Sequence, residues 1–176
     1  MKNTTQIFRD LFFCLVVLLF ISMMNACIPN SDDYHDLSGD YFYRDEGAHV
    51  KQIICHLPNH GEIYSEVIGY NYDSDFIIVA QNPIYSDYRQ MIGSNLRDNL
   101  KKYPNNDVAD IAKSEKVADS ILKHNSYYLS IFKNKINYWV ISNKANKLYG
   151  PFTENEYKIK RRELDVPESL QIEYNR

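Results

Sequence analysis

The sequence is short of the features that usually betray an activity. It holds three cysteines, six glycines, six prolines and one tryptophan in 176 residues, with 20 basic side chains against 23 acidic ones. A net charge of −3 excludes the basic field that nucleic-acid binding draws on. No Gly-x-Ser-x-Gly, no glycine-rich phosphate loop and no His-Glu-x-x-His is present, so the usual nucleophile, nucleotide and zinc-hydrolase signatures are missing. No apolar stretch reaches the about 20 residues a membrane-spanning helix needs. Hydrophobic residues at 44% and charged residues at 24% are ordinary for a folded domain, which excludes disorder, collagen and coiled coil. The length suits one domain or slightly more.

What is there begins at the N-terminus. Lys2 and Arg9 make a positive flank, Asp10 follows, and Leu11 to Ile21 is an unbroken apolar run. A short run with a positive flank and small residues behind it reads as a secretory signal peptide. Met24-Asn25-Ala26-Cys27 resembles a bacterial lipobox. In that pathway the Cys27 thiol is diacylated, the chain is cut before it, and the new amine is usually acylated too. One acyl chain holds a protein only marginally, whereas two or three anchor it. The alternatives are an ordinary signal cleavage site that happens to lie near Cys27, and an uncleaved anchor. All three place the remaining chain outside the cytoplasm.

The other cysteines agree with export without a disulfide. Cys14 lies in the segment to be removed, and Cys55 alone would remain beside the lipidated Cys27. Cys55 sits in the run Gln-Ile-Ile-Cys-His-Leu and is expected to be a small buried hydrophobe. Residues 27–37 read as a polar tether. Its Ser31-Asp32-Asp33 looks like the acidic segment behind the acylated cysteine of surface-exported lipoproteins in Bacteroidota-type bacteria, or else is a soluble linker. Ile28 is not the aspartate associated with inner-membrane retention, which favours the outer membrane. Removing Lys2, Arg9 and Asp10 with the signal leaves 18 basic and 22 acidic residues, a net −4, so the chain is no polybasic membrane binder.

Downstream, short β-type runs cover residues 39–44, 49–57, 62–70 and 75–81, separated by Gly, Asn, Asp and Pro. Four sequential strands with short turns favour an antiparallel meander. From Ser86 the apolar positions fall at helical spacing, with Ser86 or Asp87 as cap, a second helix capped by Asp107 and a third by Asn125 or Ser126. This helical insertion spans about residues 86–133. Residues 136–142 and 147–150 then read as strands, with Gly150-Pro151 breaking the second. Thr153 and Glu156 form a capping box for a last helix, and Ser-Leu-Gln-Ile-Glu-Tyr near the end suits an edge strand.

Four stretches together carry a resemblance: Glu-Val-Ile-Gly-Tyr through Gln81, Asn95 to Pro104, Lys135 to Thr153, and Glu156 to Leu170. They look like a Bacteroidota-type family of uncharacterised bacterial lipoproteins, a domain-of-unknown-function family. The resemblance implies a small α+β lipoprotein domain and transfers no catalytic residue.

Candidate chemistry is thin. Cys55, His56 and His60, with His49 nearby, come closest to a metal set, but Pro58 forbids a helix there and neighbouring strand residues face apart. Asn71, Asp73 and Asp75 mimic the start of a calcium loop, yet Phe76 and Asn82 stand where Gly and Glu are required, so a turn is expected. Glu154 and Glu156 suit the first turn of a helix. Lys158, Lys160, Arg161 and Arg162 form either a solvated face or an anion or protein contact. Fifteen tyrosines are the one excess, and Tyr41, Tyr43, Tyr70, Tyr72 and Tyr138 are strand residues that double as a binding face only if their rings stay open.

The expectation is therefore an α+β chain. It has a lipoprotein signal at 1–26, a tether at 27–37 and one domain at 38–176, built as an antiparallel meander with a helical insertion and a C-terminal helix. Cys27 is the only site residue, for lipidation; no catalytic, cofactor or metal residue is assigned. The expected function is a non-enzymatic binding or accessory module of the bacterial envelope, in contact with the membrane through its anchor and with a protein partner. The alternatives are an immunity or inhibitor-type protein, or an enzyme with an unrecognised site.

Overall fold

Among the described residues the two longest apolar runs, 76–80 and 138–141, lie side by side in the middle of a sheet. In the computed structural model, which describes residues 33–47, 49–57, 61–105 and 107–174, eight strands and four helices are assigned. The expected signal segment, residues 1–26, and Cys27 lie outside the described residues. The strands are β1 (Asp33–Asp36), β2 (Tyr41–Asp45), β3 (Lys51–Cys55), β4 (Val67–Tyr72), β5 (Phe76–Gln81), β6 (Asn137–Ser142), β7 (Lys147–Phe152) and β8 (Glu173–Tyr174). The helices are α1 (Tyr85–Asp98), α2 (Val108–His124), α3 (Ser126–Ile131) and α4 (Glu154–Glu163). The fold is α+β, with antiparallel pairing throughout and a C-terminal helix.

β5 and β6 are apolar on both faces because the sheet has a core on each side. Ile77, Val79, Trp139 and Ile141 point to one core, shared with β2, β3, α1 and α2. Ile78 and Val140 point to the other, where Tyr157 of α4 and Val166 and Leu170 beyond it close the layer. Full burial of each such side chain contributes about 1.5–3 kcal/mol.

The single expected meander is instead two sheets, ordered β1-β2-β3 and β7-β6-β5-β4-β8. Only one bridge, Ile53 to Ile63, continues β3 toward the next segment. Ser65, fully buried with φ of 32°, then turns the chain, so that pairing resumes at Val67 rather than Glu62. The sheets meet through stacked Tyr43 and Tyr70, 4.9 Å between centroids, and through Tyr70 Oη bonded to His35 Nε2 at 2.6 Å. His35 belongs to β1, which forms within the stretch read as a tether. Tyr34 and His35 pack there on Phe42 and Tyr43 of β2, giving that short strand side-chain contacts.

The insertion runs from Tyr85 to Ile131, close to the expected span. Asp107 caps α2 through Asp110 N at 2.8 Å, and Asn125 caps α3 through Tyr127 N at 2.9 Å. α1 differs. Ile84 occupies its cap position without a side-chain bond, and Asp87, inside the first turn, accepts from Ser65 Oγ at 2.7 Å. β7 also differs, because it continues through Gly150-Pro151 to Phe152. Gly150 has φ of +133°, and a Cβ there would sit 2.6 Å from the Trp139 ring, so the glycine lets the indole lie against the strand.

Candidate functional site

A cleft of about 520 Å³ opens between α4, β6 and the C-terminal segment, within the size range of small ligand sites. Its construction starts with the capping box. Glu156 N donates to Thr153 Oγ1 at 3.3 Å, and the Glu156 carboxylate accepts from Thr153 N at 2.8 Å. That backbone bond foremost, and the Thr153 hydroxyl donating to the same carboxylate at 2.8 Å, hold the Glu156 carboxyl below its ordinary range. The box fixes where α4 begins, and so which of its residues face the sheet.

Tyr157 is that residue. Its ring is buried and stacks on Tyr138 of β6, with centroids 5.1 Å apart and planes 23° apart. One helical turn on, the Arg161 guanidinium lies 5.6 Å above the Tyr157 ring. Arg161 Nη2 donates to the carbonyls of Pro167 at 2.7 Å and Leu170 at 2.6 Å. One side chain therefore holds the segment that leaves the helix. That segment turns at Asp165, with φ of 55°, and seats Val166 and Leu170 in the second core.

The far wall is β8, two residues paired to Gly69 and Tyr70 at the edge of β4. Asn71 Nδ2 donates to the Gln171 carbonyl at 2.9 Å and to Glu173 Oε1 at 3.0 Å. Gly69 makes the approach feasible, since a Cβ there would lie 2.8 Å from the Glu173 carbonyl oxygen and 2.9 Å from Tyr174 Cα. Burial first, and the neighbouring Tyr174 hydroxyl second, push the Tyr138 hydroxyl up to about 12. Burial also raises Tyr157, against an opposing pull from Arg161.

Charge lies on the rim. Lys158, Arg161 and Arg162 line the cleft together with Glu154 and Glu168. Lys158 Nζ pairs with Glu154 Oε1 at 2.6 Å, one turn apart. Lys160 pairs with Glu163 and lies 5.8 Å from the Tyr149 ring, away from the cleft. The basic cluster read from the sequence thus divides into a solvated pair, one pinned arginine and a cleft rim.

A second, polar cavity of about 370 Å³ lies between the small sheet and α1. There burial raises the Glu62 carboxyl, with Arg44 opposing, and pushes the Tyr64 hydroxyl up to about 12.

The remaining sequence candidates are placed apart. Cys55 is a free, buried thiol opposite Tyr41, as expected of a small hydrophobe. His56 lies over Phe42 at 4.5 Å, with Nε2 3.5 Å from Asp36. His49 Nδ1 is 3.4 Å from Glu66 Oε1, and His60 lies outside the described residues. Among the described residues no three His, Cys, Asp or Glu gather in a metal-holding group. Asp73 closes the β4–β5 hairpin by accepting from the amides of Asp75 and Phe76, each at 2.8 Å, which is the expected turn. Tyr41 and Tyr43 are buried in the shared core and Tyr70 stacks on Tyr43, so no open tyrosine face forms there. Tyr138 is the strand tyrosine that reaches the cleft. Tyr157 and Tyr174 escaped the sequence reading. The i, i+4 spacing of Tyr157 and Arg161 is a local signal for Tyr157, and Tyr174 has none.

Among the described residues no helix is long and apolar enough to cross a membrane. Residues 105–175 match the family described as Protein of unknown function (DUF3997), so a domain of unknown function runs from α2 to β8. No curated protein and no solved structure matches the chain. Two of the four resembling stretches, from Lys135 and from Glu156, fall inside the match. Every residue lining the larger cleft lies between 138 and 174 and is inside it; the polar cavity, lined by residues 44–99, is wholly outside.

Proposed function

We propose that this protein is a non-enzymatic binding module of the bacterial cell envelope, held on the outer membrane by acyl chains on Cys27, and that its C-terminal cleft engages a protein partner. The single observation that carries the binding role is that the cleft is built entirely from the stretch matching the family, residues 138–174. A feature belonging to that stretch is a better candidate for shared function than the cavity outside it.

The cleft groups suit binding rather than proton transfer. Lys158 and Glu154 neutralise one another, and Arg161 is engaged with two main-chain carbonyls. The Tyr138 hydroxyl, raised to about 12, stays protonated at neutral pH. The anchoring part is supported by the positive flank, the short apolar run and the lipobox-like Met24 to Cys27, and the net −4 of the shortened chain speaks against a nucleic-acid partner.

Metabolic labelling with a fatty-acid probe, combined with a photo-cross-linking residue at Ile172 in intact cells, tests both parts. The expected result is label that Cys27→Ser removes, and discrete protein adducts from Ile172 but not from exposed Lys144. An unlabelled chain would overturn the anchor, and equal adducts from the two positions would overturn the cleft.

A further inference from the structure

Three cations and two carboxylates line the cleft of a chain whose overall charge is −3. Their partners decide what is left for a ligand. Glu154 is answered by Lys158 at 2.6 Å. Arg161 donates to neutral carbonyls, which leave its charge uncompensated. Arg162 makes no ion pair or side-chain hydrogen bond among the described residues. Glu168 is the one carboxylate left to set against these two guanidinium groups. Cations in a last helical turn also complement the helix dipole. Lys160 serves that role without lining the cleft, so the dipole alone does not account for Arg162 standing at its rim.

Spacing narrows the partner's chemistry. Lys158 and Arg162 are four residues apart on α4, about 6 Å along the axis. In an extended peptide, residues i and i+2 point the same way and lie about 6.6 Å apart. Residue i+1 points the opposite way. Across the cleft from α4, that direction meets the wall carrying Ile172 and Tyr174. An extended acidic–apolar–acidic segment would therefore set two carboxylates against the α4 cations and one apolar side chain against the opposite wall.

We infer that the cleft binds an extended acidic peptide segment of its partner, with alternate carboxylates on Lys158 and Arg162 and the intervening apolar side chain on Ile172 and Tyr174. This rests on the cleft being the contact face proposed above. The Lys158–Glu154 pair is exposed and so weakly held, and it exchanges one carboxylate for another. Arg161 is a positioning residue, because it holds the wall.

The test uses the intact domain in its full chain and three blocked peptides: Asp-Phe-Asp, Asn-Phe-Asn and Asp-Asp-Phe, followed by backbone amide NMR. Asp-Phe-Asp is expected to bind about tenfold more tightly than Asn-Phe-Asn, as one charge-assisted contact would give. It should also exceed Asp-Asp-Phe, whose carboxylates point apart. Arg162→Gln should erase the gap, while Lys144→Gln, on the turn after β6, should preserve it. Added salt should weaken the two aspartate peptides and leave Asn-Phe-Asn unchanged. Equal binding of the first two peptides, with shifts at cleft amides, would overturn the acidic preference and leave the cleft as a binding site. Benzoate matching the tripeptide would overturn the peptide and keep the anion site. No cleft shift with any probe up to about 10 mM would overturn both readings.

Discussion

Trp139 donates its indole N–H to Gln81 Oε1 at 2.9 Å, joining β6 to β5 from within the larger core. The same oxygen accepts from Asn137 Nδ2 at 3.2 Å, and Gln81 Nε2 donates to the Tyr88 hydroxyl of α1 at 2.7 Å. Gln81, Asn137 and Trp139 are all buried, so each bond replaces one that water would supply in the unfolded chain. One glutamine thereby ties both central strands to the helical insertion.

Gln81→Met keeps roughly the side-chain volume and removes both polar ends. The Trp139 indole and the Asn137 amide then lose an acceptor in a dry core. We expect a loss of about 3 kcal/mol in urea unfolding, well beyond a volume-conserving apolar swap. A loss below about 1 kcal/mol would mean that water or a repacked neighbour serves these groups.

Arg161 has a comparable hold on the cleft. Lysine keeps the charge but lacks the planar fork that reaches two carbonyls at once. Arg161→Lys should therefore destabilise by about 2 kcal/mol and speed amide exchange across residues 166–172, while α1 and α2 keep their protection. Exchange that accelerates uniformly would instead assign Arg161 to global stability.

What the sequence makes legible, and what it hides, follows from how local each cause is. The Asp107 cap, the Thr153–Glu156 box and the paired runs of β5 and β6 depend on residues a few positions apart, and they stand where the pattern places them. The division into two sheets depends on the backbone of Ser65 and on Ile53 meeting Ile63, neither of which has a hydrophobic period. Pro151 reads as a stop, yet it can end a strand only where its missing N–H is needed, and β7 is an edge. The cleft is least legible of all. Tyr138, Tyr157 and Tyr174 meet only after β8 docks on β4, although the rim cations were visible as a run.

That docking is testable at one atom. Gly69→Ala places a methyl group 2.8 Å from the Glu173 carbonyl oxygen and 2.9 Å from Tyr174 Cα, both of them backbone atoms. Since β8 has only two residues, the global loss should stay near 1 kcal/mol. Protection at Glu173 and Tyr174 should fall sharply, and the Tyr138 hydroxyl should titrate closer to its ordinary value once its Tyr174 partner leaves. Unchanged protection would show that Asn71 alone retains the tail.

Alkaline pH should unfold this protein through its tyrosines. Tyr41, Tyr64, Tyr70 and Tyr138 are each pushed up to about 12, burial being the largest cause in every case. Tyr43 and Tyr88 are raised further. The unfolded chain releases these protons near 10, whereas the native state retains them, so above 10 the unfolded state binds fewer protons. Stability is then full below 10 and falls as pH climbs toward 12, with a slope of about 1.4 kcal/mol per pH unit for each group so affected. Ultraviolet titration of the fifteen tyrosines should show a late class released together with loss of tertiary signal. A single smooth titration centred near 10 with the fold intact would show that the rings packed around β2, β4 and α1 are open to solvent.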